Sequence, residues 1–173
     1  SFVKDLQTFP KIVAARAIGN RPIERLAKAF AVVATDARNG DMIVFNRGNT
    51  GLAVRASSSV PDLFIPPVIN GVAYLDGGLT SPVPVRVAQA MGADFVIAVD
   101  LARWVRAREL AAADLRVADF VIRPDTVRTR LLDFTAKQQN IEAGERAGRA
   151  AAAQISALIR EAQARKASLA LRH

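Results

Sequence analysis

The sequence predicts an α/β domain, and three observations carry that expectation. Apolar, β-branched runs of strand length recur at residues 30–36, 42–46, 72–75, 95–99 and 118–122. Some of the gaps between them are tight turns, whereas others are long enough for a helix, the alternation expected of an α/β protein. A last stretch, from about residue 134 to 169, places Ile141, Ala151, Ile155, Leu158, Ile159 and Ala162 on one face at helical spacing.

Taken in order, residues 11–18 read as one or two helical turns that Gly19-Asn20 stops. Residues 30–46 read as a β-hairpin, with Asn39-Gly40 supplying the positive φ angles of its turn. Asn49 or Thr50 caps a short helix over 49–57, and Ser57-Ser58-Ser59-Val60-Pro61 ends it. The residue before a proline is driven out of helical geometry. Residues 64–69 run extended through Pro66 and Pro67, which suits an edge or loop. Asn70-Gly71 makes a second tight turn into a strand at 72–75.

Past Asp76-Gly77-Gly78, Pro82 and Pro84 sit where a helix can begin, because a first turn needs no N–H there. Residues 85–91 form that helix and Gly92 ends it. The apolar run 95–99 suits a strand buried on both faces, which makes 72–99 a βαβ unit. Residues 101–117 are charged and Ala-rich, helix or loop. The strand at 118–122 stops at Arg123-Pro124-Asp125. In the long C-terminal helix, Gly144 and Gly148 are read as positions of close packing. No internal repeat or linker divides the 173 residues.

Composition removes several kinds of chemistry. There is no cysteine, which excludes disulfides, thiolate metal sites and Cys nucleophiles. The one histidine is His173, at the end of the sequence, so a His-dependent triad is not expected. No metal-ligand spacing and no cofactor motif is found. Net charge is +8, from 24 basic against 16 acidic residues, without a dense basic stripe interleaved with aromatics. That argues against nucleic acid and for some attraction to anionic membrane surfaces. No apolar run reaches the ~20 residues of a membrane-spanning helix. No secretory signal opens the sequence, which starts at Ser1, so a cytoplasmic or peripheral-membrane setting is expected.

The main chemical candidate is Asp76, at the end of an apolar run and followed by Gly77 and Gly78. Two glycines permit unusual backbone geometry and close approach. A carboxylate at a strand end overhangs the sheet edge, where α/β proteins bind ligands. The same tripeptide also suits a plain turn whose Asp bonds its own backbone. Asp36, Asp41 and Asp94 read as turn residues, and Asp100 as the end of a buried strand. A serine elbow of the form G-x-S-x-G is absent, and Ser57, Ser58, Ser59 and Ser81 lack its flanking glycines. Neither 48–51 nor 144–148 has the context of a phosphate loop.

The strings AVVATDARNGDMIVF, VRASSSVPDLFIPPV and GVAYLDGGLTSPVPVRVAQAMGADFVIAVDL, in that order, resemble the C-terminal half of the bacterial patatin-like phospholipase family. The later VADFVIRPD and LLDFTAKQQNIEAGERAGRAA resemble its closing strand and final helix. The resemblance implies a three-layer fold, a central and mainly parallel sheet with helices on both faces. Residues 1–173 would be the C-terminal portion of one such domain. It implies a serine acylhydrolase acting on lipid esters through a Ser–Asp dyad, in which the family's D-G-[GA] acid falls on Asp76 as general base. The Gly-rich oxyanion loop and the nucleophile elbow are not in these residues, so the serine is expected elsewhere. The alternative is a non-catalytic lipid- or partner-binding module that uses the positive charge and the amphipathic last helix. An incomplete sheet would also leave an unpaired edge open to association.

Overall fold

The computed structural model describes residues 21–102, 105–127 and 135–170, in two compact units, one ending at Pro84 and the next beginning at Val85. The helical turns expected at 11–18 lie outside the described residues.

The first unit is built on β1 (Val32–Asp36), whose five residues are all buried. A strand is buried throughout when it has neighbours on both edges and cover on its faces. β1 lies between β2 (Met42–Phe45) and β4 (Val72–Asp76), and β3 (Val68–Ile69) closes the sheet in the order β2-β1-β4-β3. Every pairing in it is antiparallel. The helix α1 (Thr50–Ser57) packs on β1 and β4, and its Ala53 and Ala56 are 3% and 0% exposed. Small residues there let the helix backbone come close to the strands. Ile23, Val32 and Ala53 form a buried cluster with Phe45 and Val54 against it. The Phe45 and Tyr74 rings meet edge to face with centroids 5.0 Å apart. Each fully buried Val or Ile here contributes roughly 1.5–3 kcal/mol.

The local signals in this unit are realised with small differences. Asn49 caps α1, its side-chain oxygen accepting from the Leu52 N–H at 2.8 Å. Asn70 and Gly71 both take positive φ, 51° and 79°, as a two-residue type I′ hairpin loop requires. At the first hairpin only Gly40 is left-handed, at φ 77°, and Asn39 is not. The loop is longer: Asp36 N–H donates to Asp41 C=O and Gly40 N–H to Asp36 C=O. One left-handed residue suffices to turn it.

In the second unit α2 (Val85–Ala90) ends at Gly92, which has φ 90°. β5 (Ile97–Val99) and β6 (Phe120–Ile122) pair in parallel, with α3 (Val105–Leu115) between them in sequence. The βαβ unit is therefore β5-α3-β6. β4 and β5 belong to different sheets, which corrects the unit expected over 72–99. The cause is that the edges of β4 are taken by β1 and β3. β5 also departs from two-sided burial: Ala98 is buried, but Ile97 and Val99 are 40% and 49% exposed.

The long helix α4 (Lys137–Ala170) is present and packs on β6. Its buried positions are Ala143 and Ala151; Ile155, Leu158, Ile159 and Ala162 are half-buried, while Ile141, expected on the inner face, is 46% exposed. A Cβ built on Gly144 or Gly148 meets nothing within 4 Å, so neither glycine serves close packing among the described residues. None of the described helices is long and apolar enough to cross a membrane. The fold is mixed α/β as expected, with its parallel pairing at β5-β6 and an antiparallel four-stranded sheet beside it in sequence.

Candidate active site

Asp76 is the last residue of β4, opposite Ala34 of β1. Its main chain is held at both its N–H and its carbonyl. The N–H donates to the Ser59 carbonyl at 2.9 Å, and the carbonyl accepts from the Thr35 hydroxyl at 2.9 Å. The Thr35 hydroxyl lies 3.1 Å from that of Thr80, so two threonines brace the turn from β1 and from its far side. Thr35 is 4% exposed, and these bonds satisfy a hydroxyl that would otherwise be costly to bury.

After Asp76 the chain makes a single 3-10 turn, Gly77–Leu79. Gly77 is buried against β1: a Cβ there would stand 2.1 Å from the Val33 carbonyl oxygen. Only glycine permits this approach. The Asp76 Oδ1 accepts the Gly78 N–H at 2.7 Å, the bond of an Asx turn. A Cβ on Gly78 would lie 3.0 Å from that same oxygen. The turn reading and the chemical reading of this tripeptide thus share one geometry, in which the turn fixes the carboxylate.

The carboxylate lines a cleft of about 410 Å3 with Phe30, Val33, Val54, Ser58 and Ser81 along its walls. Burial pushes the Asp76 carboxyl above its ordinary value, and the Gly78 N–H opposes this only in part. A carboxylate so placed is a better proton acceptor near neutrality than one in water. One wall is apolar and contributed by β1 and the residues leading into it.

The other candidates fall into separate places. Asp36 is 3% exposed and paired with Arg38, whose Nη2 donates to Oδ2 at 2.8 Å and whose Nε and main-chain N–H both donate to Oδ1. Those bonds hold its carboxyl below the usual range. Asp41 accepts from the side chain of Asn39 in the same loop. Asp94 pairs with Lys166 at 2.6 Å, and Asp100 with Arg123 at 3.2 Å. Ser57, Ser58 and Ser81 share the Asp76 cleft. The Ser58 hydroxyl donates to Val54 C=O, and the buried Ser59 hydroxyl to Arg55 C=O. Both are engaged as helix-end bonds. Among the described residues no three Asp, Glu or His side chains converge to hold a metal ion.

A family model, patatin-like phospholipase, matches residues 3–89, a span that contains the whole Asp76 turn and its cleft. The chain belongs to the patatin-like phospholipase family. The family is one of lipid hydrolases. Among the relatives of this patatin-like chain are NTE family proteins of mycobacteria. One, from Mycobacterium bovis, is 33% identical over 177 residues, covering 77% of the chain and 30% of the relative. Another, from Mycobacterium tuberculosis, is 36% identical over 84 residues, covering 49% of the chain and 23% of the relative. Patatin-like phospholipase domain-containing protein 7 of Mus musculus is 35% identical over 85 residues, 47% of the chain and 6% of that protein. The patatin-like chain therefore spans less than a third of the relatives it matches.

Sequence reasoning singled out Asp76, Gly77 and Gly78 but passed over Thr35 and Thr80. A threonine in a strand and one in a loop give no local sign that they will meet. The D-G-G string itself was the available signal, because a braced acid needs bracing groups from the neighbouring strand.

Proposed function

We propose that the protein carrying this chain is a serine acylhydrolase that cleaves acyl esters of lipids with a Ser–Asp dyad. Asp76 is its general base, and the nucleophilic serine comes from outside the 173 residues. The 173 residues form the later portion of that one catalytic domain. The observation that carries this reading is the Asp76 carboxyl, partly desolvated and fixed by its glycine turn at the wall of a cleft.

In this mechanism the carboxylate takes the hydroxyl proton as the serine Oγ attacks the ester carbonyl carbon. The tetrahedral intermediate collapses with loss of the alkoxide, to which Asp76 returns the proton, leaving an acyl-enzyme. A water molecule then attacks, Asp76 again accepts the proton, and the serine receives it as the fatty acid departs. Desolvation favours the proton-accepting steps, because it brings the affinity of the carboxylate for protons closer to that needed near neutral pH. The apolar wall from Phe30 to Val33 suits an acyl chain. The +8 charge suits a peripheral encounter with an anionic lipid surface.

A fluorophosphonate probe tests the reading. In the full protein it should label one serine outside these residues, and the isolated 173 residues should stay unlabelled. Labelling of Ser57, Ser58, Ser59 or Ser81 would overturn the assignment of the nucleophile. A full protein with no reactive serine would turn the reading towards lipid binding without hydrolysis.

A further inference from the structure

The second unit holds a larger cleft, of about 660 Å3, that the Asp76 chemistry does not use. It opens where the parallel strands β5 and β6 end. Asp100 directly follows β5, and Arg123 directly follows β6. The carboxyl ends of parallel strands are where α/β sheets leave a crevice between chain crossings. The opposite wall comes from α3, through Arg108, Ala112 and Leu115, with Arg116 just beyond its end.

The charges in this cleft are unequal. Arg108, Arg116 and Arg123 line it, against Asp100 and Asp125. Asp100 is committed: Oδ2 accepts from Arg123 Nε at 3.2 Å and Oδ1 from the Ala102 N–H at 3.0 Å. The other two guanidiniums are tied by a single atom to main-chain carbonyls. Arg108 Nε donates to Ala102 C=O at 3.1 Å, and Arg116 Nε to Ala112 C=O at 3.2 Å. Neither forms an ion pair among the described residues, so their terminal N–H groups keep their donors. Residues 108 and 112 are i, i+4 neighbours on α3, and Arg116 follows at the same spacing in the turn just past its end. The small Ala112 between the two arginines leaves room for a ligand to lie between them. Guanidiniums fixed at Nε and open at their outer edge match the oxygens of a tetrahedral oxyanion.

We propose that this cleft is a binding site for a phosphate monoester, with Arg108 and Arg116 as the phosphate ligands and Arg123 as a third cation held in check by Asp100. The cleft exceeds the volume of a bare phosphate, and Leu101, Ala102 and Leu115 give it an uncharged wall for the organic part. The phosphate can belong to a soluble ester or to a lipid headgroup, and the two sources present the same chemistry to the arginines. The site does not depend on the role of Asp76.

Isothermal titration of the full chain with glycerol 3-phosphate, with inorganic phosphate and with phosphatidic acid vesicles tests the proposal. Saturable binding of glycerol 3-phosphate is expected. Arg108→Gln with Arg116→Gln should weaken it at least tenfold. Arg160→Gln with Arg165→Gln, an equal loss of charge on the exposed side of α4, should leave it unchanged. Asp100→Asn keeps the acceptor for the Ala102 N–H but releases Arg123, and should tighten binding severalfold. That gain cannot arise from misfolding. Saturation by vesicles but not by the soluble ester would assign the phosphate to lipid, and the reverse would assign it to a soluble ester. Binding of neither, or equal loss in both double variants, or no tightening in Asp100→Asn, would overturn the proposal.

Discussion

Gly77 lies so close to Val33 that a methyl group on its Cα would stand 2.1 Å from the Val33 carbonyl oxygen. The acidic turn is thus seated directly on the central strand. Gly77→Ala must push the turn away from β1, and overpacking of this kind costs about 1–3 kcal/mol. The expected result is a lower denaturation midpoint, read by chemical unfolding, together with reduced ester hydrolysis in the full protein. Gly78→Ala meets only the Asp76 carboxylate oxygen, at 3.0 Å. It should disturb activity more than stability.

Asp76→Asn keeps the shape of the side chain and the acceptor for the Gly78 N–H. It removes only the proton-accepting charge. Hydrolysis of a short-chain ester by the full protein should fall at least about 100-fold, in the range of a lost general base. The thermal midpoint should not fall. Retained turnover would leave Asp76 as a turn residue alone.

The two carboxyls of the first sheet respond to pH with opposite signs. Burial raises the Asp76 value, so the folded chain holds this proton more tightly than the unfolded chain does. Its contribution to stability is complete below the unfolded value near 4 and is lost as pH rises through the folded value. The Arg38 bonds lower the Asp36 value, so its contribution is present above about pH 4 and is lost as pH falls through the folded value. Thermal melts across pH 3–7 should show a shallower acid loss in Asp36→Asn. In Asp76→Asn the decline on raising pH should be reduced. The acid limb of kcat/KM in the full protein should lie above the ordinary Asp value near 4.

Gly144 and Gly148 stand in α4 with open space where a Cβ would go. Alanine at each position should stabilise the helix by about 0.5–1 kcal/mol. The double variant should melt a few degrees higher by circular dichroism. A lower melting temperature would show that a packing partner occupies that space.

Local signals in the sequence proved the most legible. The Asn49 cap, the Asn70-Gly71 turn and the Gly92 helix stop each depend on a few adjacent residues, and each is where the sequence places it. Pairing of strands is not local. Nothing in residues 95–99 states that the partner is Phe120–Ile122 rather than β4, and the apolar run looks the same with one face open. The Asp76 turn was visible as a string, but its bracing by Thr35 required the register of β1 on β4. Arg108 and Arg116 were visible only as charges in an Ala-rich stretch. Their convergence on Arg123 needs the parallel pairing that brings the ends of β5 and β6 together.

The complete burial of β1 has a consequence for motion. Its main chain is paired along both edges, so its amides should be among the slowest in the protein to exchange with deuterium. Segments of that kind open only when their whole cooperative unit unfolds. The acidic turn rests on Val33 and is bonded to Thr35, so it cannot loosen much before β1 does. The Asp76 carboxylate is therefore held on the timescale of global unfolding, although the turn that fixes it lies past the end of β4, where exchange would ordinarily be fast.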